Sequence, residues 1–313
     1  MGDSKRGSLR GGEYVENGAA DDSCGSAALE GVANALARDG LVVVPSAAPR
    51  QLLAAARAEA LEVAQAVLGA CSESAHAANA LGREFKCTCG AGGRCRWGLH
   101  RACRCPVHVT PVLRGEQLAF RERARGRFDI LLRHLAAAEV AKDLPPHAAH
   151  LSAYLLGSRA FWRPLAVQVL GPGAWACAVG LLWAQGGAGG GGWHIDGDRI
   201  QADAPYCLHV FLPLVDVDAT NGATQLLPGS HVTGTLAAHY EAEVVQPAIR
   251  AGGALVFDYR TWHRAPENPS KEARPVLYVT VAAPWYREQR DWPPGSTAPF
   301  EQKASGSREP RVE

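Results

Sequence analysis

The sequence predicts a mainly β chain with flanking α-helices, its core a jelly roll. Three observations lead there. From Trp175 onward the chain is a succession of short apolar runs rich in Val and aromatic residues, at 176–184, 207–215, 224–227, 254–257 and 276–283, punctuated by Gly, Pro and Asn. No long helical stripe interrupts these runs, and consecutive strands without crossover helices pair antiparallel. Behind the glycine-rich run 186–192 stands His194-Ile-Asp196, a pair suited to a metal ion, and a metal site inside antiparallel sheets suggests a jelly-roll barrel.

The elements follow in order. Residues 1–24 are rich in Gly, Ser and charge without periodicity and read as a flexible tail. From Ser26, the residues Leu29, Val32 and Leu36 fall at helical spacing, and Gly40 closes that helix before a short buried strand at 41–44. Pro45 ends the strand. Pro49 opens a second helix, whose apolar stripe of Leu52, Leu53, Ala56, Ala60, Val63, Ala64 and Val67 runs to near Gly69. Residues 71–113 break the pattern, with Cys87, Cys89, Cys95, His100, Cys103, Cys105 and His108 crowded into a Gly- and Arg-rich stretch. The stretch reads as an insertion carrying free thiols. A structural zinc ion is the alternative, although the Cys-x-Cys pairs depart from the Cys-x2-Cys spacing that zinc sites favour. Residues 127–132 form a short apolar segment, followed by helical stretches at 134–142 and 147–157 that Pro145-Pro146 separates. Gly171-Pro172-Gly173 is a turn into the strand-rich half. Residues 291–313 return to polar low complexity, which leaves one domain over 25–290.

With 313 residues and 47% hydrophobic composition, the chain can bury a large core. Basic and acidic residues nearly cancel, 32 against 31, so nothing in the overall charge favours nucleic acid or an anionic membrane as partner. No apolar run reaches the length of a membrane span, and Met-Gly-Asp-Ser-Lys-Arg-Gly-Ser lacks the apolar core of a secretory signal, so a cytoplasmic location is expected.

On an extended segment residues i and i+2 point to one face, so His194 and Asp196 can converge on a single ion. An open iron site that activates oxygen needs a third protein ligand and vacant positions, as in the two-histidine, one-carboxylate triad. His263, 69 residues beyond His194, is the candidate, with enough chain between them for barrel strands to bring it back. Arg274 follows eleven residues later, at the start of an apolar run, where a guanidinium suits the far carboxylate of a dicarboxylic co-substrate.

Three stretches together, Trp193-His194-Ile-Asp196-Gly-Asp, Asn221-Gly-Ala-Thr-Gln-Leu-Leu-Pro228-Gly-Ser-His231 and Trp262-His263-Arg-Ala-Pro-Glu-Asn268-Pro-Ser-Lys-Glu-Ala-Arg274, resemble the phytanoyl-CoA dioxygenase family. The resemblance is specific over about 165–286 and looser over 29–70. It implies a double-stranded β-helix, the cupin-like jelly roll, and an Fe(II)- and 2-oxoglutarate-dependent oxygenase that uses O2 to hydroxylate a small-molecule substrate with release of succinate and CO2. It makes His194, Asp196 and His263 the iron ligands and Arg274 the anchor for the distal carboxylate of 2-oxoglutarate. His231 falls in a turn element and needs no chemical role. Some family members carry a hydroxyl residue two positions past the distal histidine that also contacts 2-oxoglutarate. Here that position is Ala265, so one hydrogen bond to the co-substrate is either missing or supplied by Ser270 or His209, and His209, alternating with Cys207 and Phe211, reads otherwise as a core histidine or one that supports a ligand. Trp193 and Trp262 stand beside the ligands as pocket walls or as packing, and Asp198, Arg199 and Arg264 are candidate rim charges. Two other readings remain: a non-catalytic metal-binding or sensor protein on the same barrel, and a zinc-dependent adaptor acting through the Cys-rich stretch.

Overall fold

The computed structural model describes residues 26–81, 112–113, 116–117, 119–134, 149–157, 160–196, 204–233 and 243–286. The two expected tails, the cysteines from Cys87 to Cys105 with the alternative zinc site, nearly all of the helical stretch at 134–142, and Asp198 and Arg199 lie outside those residues.

The chain enters through α1 (Ser26–Asp39), β1 (Leu41–Val44) and α2 (Arg50–Leu81). The helix α2 continues beyond Gly69, where the sequence suggested an end, and takes in the first residues of the expected insertion. Five alanines from Ala70 to Ala80 explain this, because alanine favours helix without supplying an apolar stripe. Next come the short pair β2 (Val112–Leu113) and β3 (Glu116–Gln117), the hairpin of β4 (Ala119–Ala124) and β5 (Arg127–His134), and helices α3 (Ala149–Leu156) and α4 (Trp162–Leu170). The strand-rich half holds β6 (Trp175–Ala184), β7 (Cys207–Pro213), β8 (Gln225–Leu226), the single turn α5 (Ser230–Thr233), β9 (Ala254–Asp258), β10 (His263–Arg264) and β11 (Arg274–Ala282).

Seven of these strands form one antiparallel sheet in the order β1-β9-β7-β11-β6-β5-β4, and β10 pairs with β8 in a smaller sheet. This is the jelly-roll architecture expected from the sequence. Strands β7, β9 and β11 are buried at every position rather than at alternate ones. The cause is that both faces of the large sheet are covered. On one face Ile130, Val179, Leu208, Val256 and Leu277 pack into a core shared with Leu36, Val63 and Leu165 of the helices. On the other, Leu131, Phe211, Leu255, Phe257 and Tyr278 form a second cluster with Val217, Leu226 and Ile249. That inner face carries the candidate site. Among the described residues no helix is long and apolar enough to cross a membrane.

Gly40 shows why the first turn must be glycine. Its φ of +75° is the left-handed conformation of a helix C-cap, and its N–H donates to Leu36 O at 2.8 Å. A Cβ there would collide with the His231 ring and the Thr261 hydroxyl. Gly40→Ala is therefore expected to destabilise the fold by roughly 2–4 kcal/mol, the left-handed penalty plus overpacking, read from the urea midpoint.

Candidate metal centre

The backbone brings the two histidines together. His194 and His263 exchange N–H···O=C bonds, both 2.9 Å, and so form an isolated antiparallel bridge between the glycine-rich loop and β10. Directly paired residues project to one face, and the two rings lie with centroids 4.3 Å apart. Asp196, two residues on, is fixed by its N–H donating to Tyr259 O at 3.0 Å. Each imidazole is then oriented by its own loop. His194 Nδ1 donates to Gly192 O at 2.9 Å and His263 Nδ1 to Thr261 O at 3.0 Å, which turns both Nε2 atoms inward.

Among the described residues, His194, Asp196 and His263 are the one cluster whose ligand atoms all lie within 4.8 Å of one another. The chemistry of the set calls for a cation. With Nδ1 donating, a neutral His263 presents a lone pair on Nε2 to Asp196 Oδ2 at 3.3 Å, so two acceptors face each other. Only a second proton on the ring or a metal ion between them satisfies that contact. Partial desolvation, and then the neighbouring His263, depress the pKa of His194 against the opposing pull of Asp196, which leaves its imidazole neutral and able to ligate at pH 7. Burial works against the charged form of Asp196, yet His263 and His209 beside it hold the carboxyl well below the usual range, so it stays ionised. Two nitrogens and one carboxylate oxygen on one side of an open cavity match the facial triad of non-haem iron.

The cavity has a volume of about 380 Å3, and its lining includes His194, Asp196, His209, His263, Ala265 and Arg274. Arg274 is 7% exposed, and its Nη1 donates to Asn221 O at 3.0 Å. Burial first, and then the like charge of Arg127, pull its pKa down to about 10, so it remains a cation at neutral pH.

A model of the phytanoyl-CoA dioxygenase (PhyH) family matches residues 36–276. The chain belongs to that family. Among solved structures, this PhyH-family chain is similar to EvdMO1, at 17% identity and a TM-score of 0.52 over 82% of this chain and 50% of that one. It is also similar to AviO1 from Streptomyces viridochromogenes, at 17% identity and a TM-score of 0.49 over 82% of this chain and 95% of that one. A third is the non-heme alpha ketoglutarate dependent epimerase SnoN from nogalamycin biosynthesis, at 19% identity and a TM-score of 0.49 over 82% and 81% of the two chains. At these identities the likeness is one of fold. Family membership makes the PhyH-family chain an enzyme of the non-haem iron, 2-oxoglutarate-dependent type, and the His194, Asp196 and His263 cluster fits that metal.

The structure places the two residues considered for the contact missing at Ala265. Ser270 does not line the cavity of the metal centre. Its hydroxyl donates to Asn268 Oδ1 at 2.7 Å, closing an Asx-type turn, and the residue faces a separate hollow beside Arg50 and Arg57. His209 does line the cavity, but both ring nitrogens meet protein partners: Nε2 lies 2.9 Å from Asp196 Oδ2, and Nδ1 lies 3.2 Å from Thr280 Oγ1. Its ring thus holds the Asp196 carboxylate, the supporting place the sequence also allowed. Ala265 lines the cavity with a methyl group where a hydroxyl was sought. His231 does not line the cavity, and its Nε2 is bonded to Ala37 O at 3.1 Å. Trp193 stacks under Arg264, whose guanidinium carbon lies 4.8 Å from the ring centroid, and neither Trp193 nor Trp262 lines the cavity.

The sequence reading missed Arg127, Asp129 and Tyr278, which also line the cavity. A signal was present. In Arg127-Phe-Asp-Ile-Leu-Leu132 the polar Arg127 and Asp129 alternate with Phe128 and Ile130, the pattern of a strand with one polar face. Tyr278 reaches Asp129 because Gly180, its neighbour on β6, leaves space for the ring, and its hydroxyl donates to Asp129 Oδ1 at 3.0 Å.

Proposed function

We propose that the chain hydroxylates a small molecule, consuming O2 and 2-oxoglutarate and releasing succinate and CO2. The observation that carries this reading is the convergence of His194 Nε2, Asp196 and His263 Nε2 within 4.8 Å at a cavity that also receives the buried Arg274. When bound at this triad, ferrous iron supplies oxygen activation coupled to decarboxylation of the co-substrate. His194, Asp196 and His263 would hold the metal, a donor set of two imidazoles and one carboxylate that suits ferrous iron. Arg274 receives the distal carboxylate of 2-oxoglutarate, its planar fork suiting two parallel hydrogen bonds. His209 fixes the rotation of the Asp196 carboxylate by donating from Nε2, while the Thr280 hydroxyl donates to its Nδ1. The apolar neighbours Leu182, Phe211, Leu255 and Val276 exclude water from the reacting end. A volume of about 380 Å3 sits at the small end of ligand cavities, roughly 300–1,000 Å3, which supports a small substrate.

The retained Arg274 argues against a non-catalytic metal-binding protein, which has no use for a buried guanidinium beside the metal. The test is anaerobic titration of the protein with Fe(II) and 2-oxoglutarate, followed by succinate assay in air. One iron per chain, a visible absorption band that needs both components and slow succinate release are expected. Tightly held metal with no band and no succinate sinks the proposal. Arg274→Met is expected to weaken 2-oxoglutarate by at least about 30-fold, since truncating one partner of a buried charge pair costs about 2 kcal/mol or more, while iron affinity stays within about twofold. A variant that takes up 2-oxoglutarate like the parent would remove Arg274 from the site.

A further inference from the structure

Arg127 of β5 and Arg274 of β11 both stand opposite Ala184, on the two sides of β6. Residues in register across neighbouring strands point to the same face, so both guanidiniums rise from the inner face with only a methyl group between them. Two strand spacings separate their Cα atoms, about 10 Å. Gly191 closes over Arg127 from the opposite side: a Cβ there would lie 3.0 Å from Arg127 Nη1. The guanidinium thus sits under the loop that delivers His194, and it also feels the charge of Asp196.

Unlike Arg274, Arg127 makes no hydrogen bond or ion pair with the described residues. The carboxylate two positions along its own strand is already engaged, since Asp129 accepts the Tyr278 hydroxyl at 3.0 Å and pairs with Arg123 at 3.4 Å. The cavity wall therefore carries three guanidiniums, Arg123, Arg127 and Arg274, against two carboxylates, Asp129 and Asp196. Under the proposed function, ferrous iron and doubly charged 2-oxoglutarate cancel each other and leave that surplus untouched. A half-buried guanidinium that has attraction from nearby carboxylates but no hydrogen-bonded or ion-paired partner among the described residues gains from a bound anion.

We propose that Arg127 receives an oxyanion of the primary substrate, a carboxylate or phosphate, and so selects anionic small molecules for the iron centre. This inference rests on the oxygenase reading of the site. Arg123 and Asp129 act as positioning residues at its edge, since Asp129, bonded to Arg123 and Tyr278, attracts Arg127 without forming an ion pair with it. Burial first, and then Arg123, lower the Arg127 pKa to about 10 against the pull of Asp129 and Asp196, so the group is charged at working pH.

The test uses the full chain with Fe(II) and saturating 2-oxoglutarate under anaerobic conditions, titrated with inorganic phosphate and followed by calorimetry and by the co-substrate absorption band. Phosphate is expected to bind the parent, Arg127→Met to lose at least tenfold in phosphate affinity, and Arg127→Lys to recover part of it. The affinity of Arg127→Met for 2-oxoglutarate, titrated without phosphate, is expected to stay within twofold. Equal phosphate binding by parent and Arg127→Met overturns the proposal. So does a tenfold loss of 2-oxoglutarate affinity in Arg127→Met with phosphate competing against 2-oxoglutarate in the parent, which assigns the guanidinium to the co-substrate. If Arg127→Met does not fold, Arg127→Gln carries the same comparison. Failure of the iron and 2-oxoglutarate band in the parent would instead overturn the oxygenase reading itself.

Discussion

Asp196→Ala is expected to reduce iron- and 2-oxoglutarate-dependent succinate formation by more than about 100-fold, since even groups that only support a metal ligand are worth 10- to 100-fold. The substitution also leaves His209 Nε2–H buried without its acceptor, at a cost of about 1–3 kcal/mol. Asp196→Asn separates the two effects. Its amide oxygen still accepts from His209, so its unfolding midpoint is expected close to the parent, while the missing negative charge leaves turnover as low as in the alanine variant. Succinate assay and thermal melts on the three proteins decide it. Turnover at the parent rate in either variant would remove Asp196 from the metal.

Phe257→Ala should carry the largest stability cost at the site. The side chain is fully buried on the inner face, with its ring centroid 4.8 Å from that of His263, 5.3 Å from that of His209 and 5.0 Å from that of Phe211. Removing a buried phenyl ring costs roughly 3–5 kcal/mol. At about 2–4 °C per kcal/mol, the melting temperature falls by about 6–20 °C. Because the lost ring walls two imidazoles, iron affinity is expected to drop about tenfold as well. Phe257→Leu, which refills most of the space, should recover most of the stability. A melt for Phe257→Ala within 2 °C of the parent, roughly 1 kcal/mol or less, would contradict this packing.

What could be read from the sequence follows from what each element has to bury. Strands β6, β7, β9 and β11 are covered on both faces, so they appear as unbroken apolar runs that are legible without a structure. Strand β4 is the edge of its sheet and bears Glu122 and Arg123, charges that protect an edge and hide it from a hydrophobic pattern. Strand β10 has two residues, too short for any period. The triad was legible because His194 and Asp196 are close in the chain and His263 lies in a distinctive motif. Arg127 was not, since its place beside Arg274 depends on the register of three strands whose partners lie 147 positions apart in sequence. Asp129 and Tyr278 likewise meet only through cross-strand pairing.

The paired amide bonds that lock His194 to His263 carry a consequence for handling the protein. Because the chain's own folding brings these distant segments together, an incoming ion finds its imidazoles already in place and spends little of its affinity on ordering backbone, which costs about 1–2 kcal/mol per residue. Chelation should strip such a centre without unravelling it, unlike a zinc finger that collapses once emptied. The vacated scaffold can then be reloaded with a different divalent ion, including one that binds without turning over.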